Sequence, residues 1–200
     1  MTAEYDRGQN LTKGEKTMTT QEMHSNERKM APAPVAVSNE IEVLRHQARV
    51  TQRVIRLNVE GISHEESLIQ PQPAGNCLNW VIGHLVFAYE LIFPLLGQKP
   101  VMGEGRLKPY ARHSSPLKDS AEAVPLQELL AAFDKASERV DAGLAGLATK
   151  KLDEPAPYSP TNDPKETVRS LLASISFHQA YHAGQTGLLR RVVGKPGAIA

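Results

Sequence analysis

Four long stretches of this chain repeat apolar residues every three to four positions, and no stretch of any length alternates them every two. That pattern constrains the fold more than any other feature. A period near 3.6 writes an apolar stripe along one face of a helix, and a helix with one such stripe buries it against other helices. The chain is therefore expected to be all-α, a four-helix bundle. The first stripe is Ile41, Leu44, Ala48, Thr51, Ile55, Val59 and Ile62, on a helix expected from Asn39 to Gly61, whose glycine suits a C-terminal end. Ser63-His64-Glu65-Glu66 then has capping-box spacing for one short turn before Pro71. The second helix is expected from an N-cap at Asn76, with Cys77, Trp80, Val81, His84, Leu85, Ala88 and Leu91 on one face and Pro94 as its stop. The third follows Pro125 as a first-turn proline and carries Leu126, Leu129, Leu130, Phe133, Val140, Leu144 and Leu147. The fourth is expected from Asp163-Pro164-Lys165-Glu166, with Val168, Leu171, Leu172, Ile175, His178, His182 and Leu189 inward and Gly194 and Pro196 as its end.

What lies outside the stripes divides the chain. Residues 1–36 contain almost no Val, Ile, Leu or Phe, so they bury too little to offset the entropy of ordering and read as a disordered tail and linker. Residues 37–200 are expected to form one bundle domain. Met18, Met23 and Met30 inside the tail are alternative starts to Met1. The connection from Gly97 to Ala123 holds several glycines and prolines, and connections of that length commonly carry function. Lys plus Arg number 23 and Asp plus Glu 22, which leaves no footprint for nucleic acid or an anionic membrane. The most apolar segment, Trp80 to Leu96, is interrupted by His84, Glu90 and Pro94 and makes a poor membrane span. A single cysteine, Cys77, makes no internal disulfide and fits a reducing, cytoplasmic setting. It reads as a small buried apolar residue, with a reactive thiol at a helix N-terminus as the alternative.

The histidines carry the chemical signal. His84, His178 and His182 fall on inward stripes, whereas His24, His46, His64 and His113 fall in the tail, on an outer face or in connections. His178 and His182 are four apart, so their rings stand one above the other about 6 Å along one helix face. Two such rings grip one metal ion, and His84 from a facing helix supplies a third nitrogen, the way bundles build metal sites. Three neutral imidazoles suit zinc, nickel, cobalt or iron and leave positions for water or substrate. The plainer alternative is three packed histidines bonded to backbone carbonyls, but a buried group of polar rings is costly unless something satisfies it. The segment His178-Gln179-Ala180-Tyr181-His182 lacks the glutamate of a zincin protease, and no carboxylate sits beside the pair for a two-histidine, one-carboxylate site. Tyr181 and Gln185 flank the pair as candidate substrate-binding residues or as partners for a histidine's second nitrogen. Arg190, Arg191 and Lys195 lie at a helix C-terminus, where cations are favourable in any case.

Asn79-Trp80-Val81-Ile82-Gly83-His84-Leu85, then His178-Gln179-Ala180-Tyr181-His182-Ala183-Gly184-Gln185 and Leu188-Leu189-Arg190-Arg191, resemble the DinB-like superfamily. The likeness runs from about Glu40 to Gly197. It implies an up-down-down-up four-helix bundle in which His84, His178 and His182 hold a divalent metal, zinc or nickel foremost. Members of that family include S-transferases that use bacillithiol, mycothiol or glutathione, and maleylpyruvate isomerases, and many are homodimers. The resemblance thus implies a metal-dependent enzyme of small molecules, a thiol-dependent S-transferase or a hydrolase, with a low-molecular-weight thiol as a second cofactor. The mycothiol-dependent isomerases carry a glutamate where this chain has His178, which places it with the three-histidine branch. A non-catalytic, stress-related binding protein of the same fold is the alternative. No catalytic residue beyond the ligands follows from the motifs.

Overall fold

In a computed structural model, residues 39–117 and 120–199 are described. The expectation for residues 1–36, and the candidate starts within them, lie outside that range. Among the described residues six α-helices run in order: α1 (Asn39–Val59), the single turn α2 (His64–Ser67), α3 (Leu78–Ile92), the single turn α4 (Glu104–Leu107), α5 (Leu126–Ala145) and α6 (Val168–Val192). Short 3-10 turns occupy Lys108–Tyr110 and Thr149–Asp153. Among the described residues the one β feature is an isolated antiparallel bridge between Pro155 and Thr167, in the α5–α6 connection.

The long helices form a bundle in which α1 and α3 each pack against both α5 and α6. Specific contacts give its directions. Arg45 meets Asp141 while Gln52 meets Asp134, so α1 and α5 are antiparallel. Glu40 pairs with Arg169, Gln47 bonds Ser176 and Asn58 bonds Thr186, so α1 and α6 run parallel. Tyr89, in the last turn of α3, stacks on Phe133 in the first half of α5, and Leu96, beyond the end of α3, lies against Gly143 in the last turn of α5, so these two are parallel. His84 faces both His178 and His182 across α3 and α6, and the order of the four long helices is up-down-down-up.

The stripes fill the core. Ile41, Ile55, Leu85, Ile92, Leu129, Phe133 and Leu171 are wholly or almost wholly buried, and such burial supplies roughly 1.5–3 kcal/mol per large side chain. Ser63 caps α2 with the anticipated capping box: its hydroxyl accepts from the Glu66 amide, and Glu66 accepts from the Ser63 amide. Gly61 ends α1 at φ +69°, where a side chain would be strained. Pro94 follows the last turn of α3, as its missing N–H requires.

Four details depart from the sequence expectations. Helix α6 begins at Val168 rather than after Asp163, with Thr167 as its cap in a Thr167–Ser170 box. Asp163 instead closes a tight turn by accepting from the Lys165 amide, and Glu166 is buried under the Ser159 and Ser170 hydroxyls. Cys77, not Asn76, occupies the N-cap of α3, with no side-chain cap bond, because Asn76 lies one residue upstream of it. Pro125 is the N-cap of α5 rather than its first helical residue. Leu91 is 45% exposed, off the core.

Candidate metal centre

Helix α3 brings His84 inward because the whole of its inner face is buried, from Leu78 to Ile92. Gly83 makes that approach possible, since a Cβ there would overlap the ring of Tyr110. The Tyr110 carbonyl in turn accepts the His84 Nδ1–H at 2.7 Å, which fixes the tautomer and leaves Nε2 with a free lone pair. Trp80, one turn earlier, stacks on His84 at 4.6 Å between ring centroids. Its indole N–H is shared by the Pro109 carbonyl and Ser114 Oγ, so the plate that supports the imidazole is itself pinned.

Helix α6 supplies the other two rings. His178 and His182 stand 4.5 Å apart between centroids, and both lie about 5 Å from His84. His84 Nε2 and His178 Nε2 are separated by 3.1 Å. The Gln185 side-chain carbonyl, 2.7 Å away, accepts the His182 Nδ1–H and frees its Nε2 in the same manner. One ligand atom from each ring falls within 4.8 Å of the others, and among the described residues this is the one such group of three or more metal-ligating side chains. A tetrahedral ion with bonds of about 2.0–2.1 Å needs nitrogens about 3.3 Å apart, so the His84–His178 spacing already fits and the third ring has a short distance to close. His178 Nδ1 is buried without a hydrogen-bond partner.

The electrostatics agree with three neutral rings. Burial, reinforced by His182, His84 and Arg112, pushes His178 down to about 3. Burial also lowers His84, against the opposing pull of the Tyr110 carbonyl, and lowers His182, against the Gln185 bond. A neutral imidazole is the form that donates its lone pair to a cation. The donor set and the tautomers set by Tyr110 and Gln185 therefore fit a divalent metal.

Above the cluster opens an apolar cleft of about 860 Å³, reached by His84 and His178 and walled by Phe87, Leu91, Phe177 and Tyr181. Leu91 is exposed because it faces this cleft. Arg112, from the long connection, and Tyr158, from the α5–α6 connection, complete the wall. Of the two flanking candidates, Tyr181 lines the cleft and is 64% exposed, whereas Gln185 holds His182. Sequence reasoning did not single out Arg112 or Tyr158; neither sits on a helical period, and only the length of the Gly97–Ala123 connection marked the surroundings of Arg112.

The other candidates are accounted for elsewhere. His46 is exposed; His64 sits in α2, where its Nδ1 accepts from the Leu126 amide; His113 lies in a turn at φ +65°. Burial raises the Cys77 thiol, opposite to the drop a reactive thiol at a helix N-terminus would show. Glu90 accepts from the amides of Val101 and Met102, away from the histidines. Arg190 donates to the carbonyls of Asn58, Glu60 and Pro196, and Lys195 pairs with Glu66. Among the described residues, no helix is long and apolar enough to cross a membrane.

A family model described as the DinB superfamily matches residues 46–186, a span that includes all three histidines. A solved structure described as a conserved protein of locus from Enterococcus faecalis superposes with a TM-score of 0.61 at 17% identity, covering 77% of this chain and 97% of that one. At that identity the likeness speaks for the fold. No curated relative matches the sequence.

Proposed function

The chain belongs to the DinB superfamily, and from that premise we propose that it is a metal-dependent enzyme of small molecules, a thiol S-transferase first and a hydrolase second. The observation that carries this reading is the junction of a three-nitrogen cluster with a roomy apolar cleft. Structural zinc sites are normally closed by four protein ligands, while catalytic ones keep a position open. Here three rings converge, and two of them border the cleft. His84, His178 and His182 act as ligands, so none of them serves as a general base while the site is loaded. Tyr110 and Gln185 hold two of the rings in the ligating tautomer. A bound zinc or nickel ion supplies the Lewis acidity that keeps a thiol or a water deprotonated and nucleophilic near neutral pH. In S-transfer the thiolate sulfur bonds to an electrophilic carbon as the leaving group departs with the bonding electron pair. Phe87, Leu91 and Phe177 offer apolar surface for that electrophile, and Tyr181 a hydroxyl to orient it.

The test is elemental analysis of untagged protein, followed by a screen of glutathione, bacillithiol and mycothiol with alkyl and aryl electrophiles, and of simple esters and amides. Stoichiometric zinc or nickel with turnover of one such pair is the expected result. Stoichiometric metal without any turnover favours a non-catalytic binding role, and protein free of metal after purification without chelator removes the proposal.

A further inference from the structure

The charge of the cleft is uneven in a way that bears on what enters it. Among the described residues its lining holds one cation, Arg112, and no carboxylate. Other arginines along the bundle meet acids: Arg45 and Arg49 share Asp141, Arg106 meets Glu128, and Arg169 meets Asp153. Arg112 has no such partner among the described residues. Its Nη1 donates to the Pro160 carbonyl at 3.0 Å, a neutral acceptor that ties the side chain to the cleft wall and leaves the other guanidinium donors uncommitted. A second observation points the same way. Tyr158, in the same lining, has a buried hydroxyl with no hydrogen-bond partner. A buried donor without an acceptor is unfavourable until a ligand brings one. The planar fork of an arginine matches the two oxygens of a carboxylate.

We propose that this cleft selects small molecules carrying a carboxylate on an apolar body, with Arg112 as the residue that binds the carboxylate. The proposal rests on the reading of the cleft as a substrate site and adds the charge its occupant bears. The apolar walls take the body, the Arg112 fork takes the anion, and the histidine cluster lies beside both. A neutral analogue of the same shape keeps the apolar contacts and loses the charge-assisted bonds.

The experiment compares phenylacetate with its uncharged amide, phenylacetamide, in ligand titrations followed by NMR, on the full chain and on Arg112→Ala, each zinc-loaded and zinc-free. On the zinc-free chain, where no open metal position competes for the carboxylate, wild type should prefer phenylacetate by about tenfold, the size expected of one charge-assisted contact. In zinc-free Arg112→Ala the preference should vanish, while the zinc stoichiometry of the loaded variant and its helical circular dichroism stay unchanged, since residue 112 is an exposed loop position. A preference that survives in zinc-free Arg112→Ala, or zinc-free wild type that binds the two probes equally, overturns the proposal. Failure of the metal reading shows separately, as absence of zinc uptake, and leaves the carboxylate preference measurable on the zinc-free chain.

Discussion

Two groups of buried polar side chains hang from α3, and they have opposite accounts. Around Asn79, every polar atom of a small ring is matched. The Tyr110 hydroxyl donates to Asn79 Oδ1 at 3.0 Å and accepts the Val124 amide at 2.8 Å, and Asn79 Nδ2 donates to the Val124 carbonyl at 2.9 Å. Around His84, outer nitrogens are tied to Tyr110 and Gln185, the inner nitrogens have only one another, and His178 Nδ1 has nothing. Tyr110 serves both, its hydroxyl closing the first group and its carbonyl orienting the second. Burial and polarity do not distinguish the two; satisfaction does. A closed ring fixes the path of the chain from α3 through the long connection to α5. An open one is complete only when something from outside enters it.

The largest effect is expected where the closed ring is cut. Tyr110→Phe removes one donor and one acceptor and strands Asn79 Oδ1 and the Val124 amide in the interior. At about 1–3 kcal/mol for each of these two stranded groups, the loss should be about 2–6 kcal/mol, read from the urea midpoint at unchanged slope. A loss below about 1 kcal/mol would mean that the ring holds little and that the contrast with the histidines is false.

Next in size is the response of the metal-free protein to acid. His178 is held at about 3 against an ordinary 6.5, and His84 and His182 are also lowered. The unfolded chain therefore binds protons at these rings below pH 6.5 while the folded chain refuses them, and stability rises with pH wherever the unfolded state binds more protons. The melting temperature should be at its plateau above pH 6.5 and fall progressively toward pH 3, and His178→Ala should flatten part of that slope. An unchanged slope in the variant would show that the ring is not held neutral. The Asn79 ring has no group that titrates in this window, so variants there should shift the curve without changing its shape.

The helices and the histidine half of this contrast are legible in the sequence, for a physical reason, while the Asn79 ring is not. A stripe sums many weak signals over a long window, so the long helices and the sorting of His84, His178 and His182 from the other histidines follow from spacing alone. Caps are single-residue signals and are easily spent elsewhere: Asp163 has the chemistry of an N-cap, yet it closes a turn ahead of Thr167, which caps α6. The stripe of α3 overran at Leu91 because an apolar residue facing a cleft is written like one facing the core. Arg112 and Tyr158 come from separate connections that meet only in the folded chain, and no period in the sequence joins them. Asn58 was also invisible, since a buried asparagine bonded to the Ala183 carbonyl and Thr186 is indistinguishable by spacing from an exposed one.

The smallest stability effect belongs to the open group. In metal-free protein, His182→Ala should change stability by about 1 kcal/mol or less, while abolishing metal uptake. The apolar stripes of four helices supply the folding free energy, and the cluster adds buried polar rings that only a ligand satisfies. Removing one of them takes away a desolvated group along with its packing, and the two terms oppose each other. The Gln185 carbonyl it leaves behind is only partly buried, so water replaces the lost bond. Chelated wild type should accordingly keep its helical circular dichroism and melt lower than loaded protein only by the stabilisation that ligand binding lends a folded state. A structural metal behaves the other way, because its binding free energy is then folding free energy. Melts of loaded wild type, chelated wild type and His182→Ala, each with measured metal content, separate the cases. Loss of most helical signal on chelation would move the histidines into the same class as the Asn79 ring, a fastening of the fold rather than a place for chemistry.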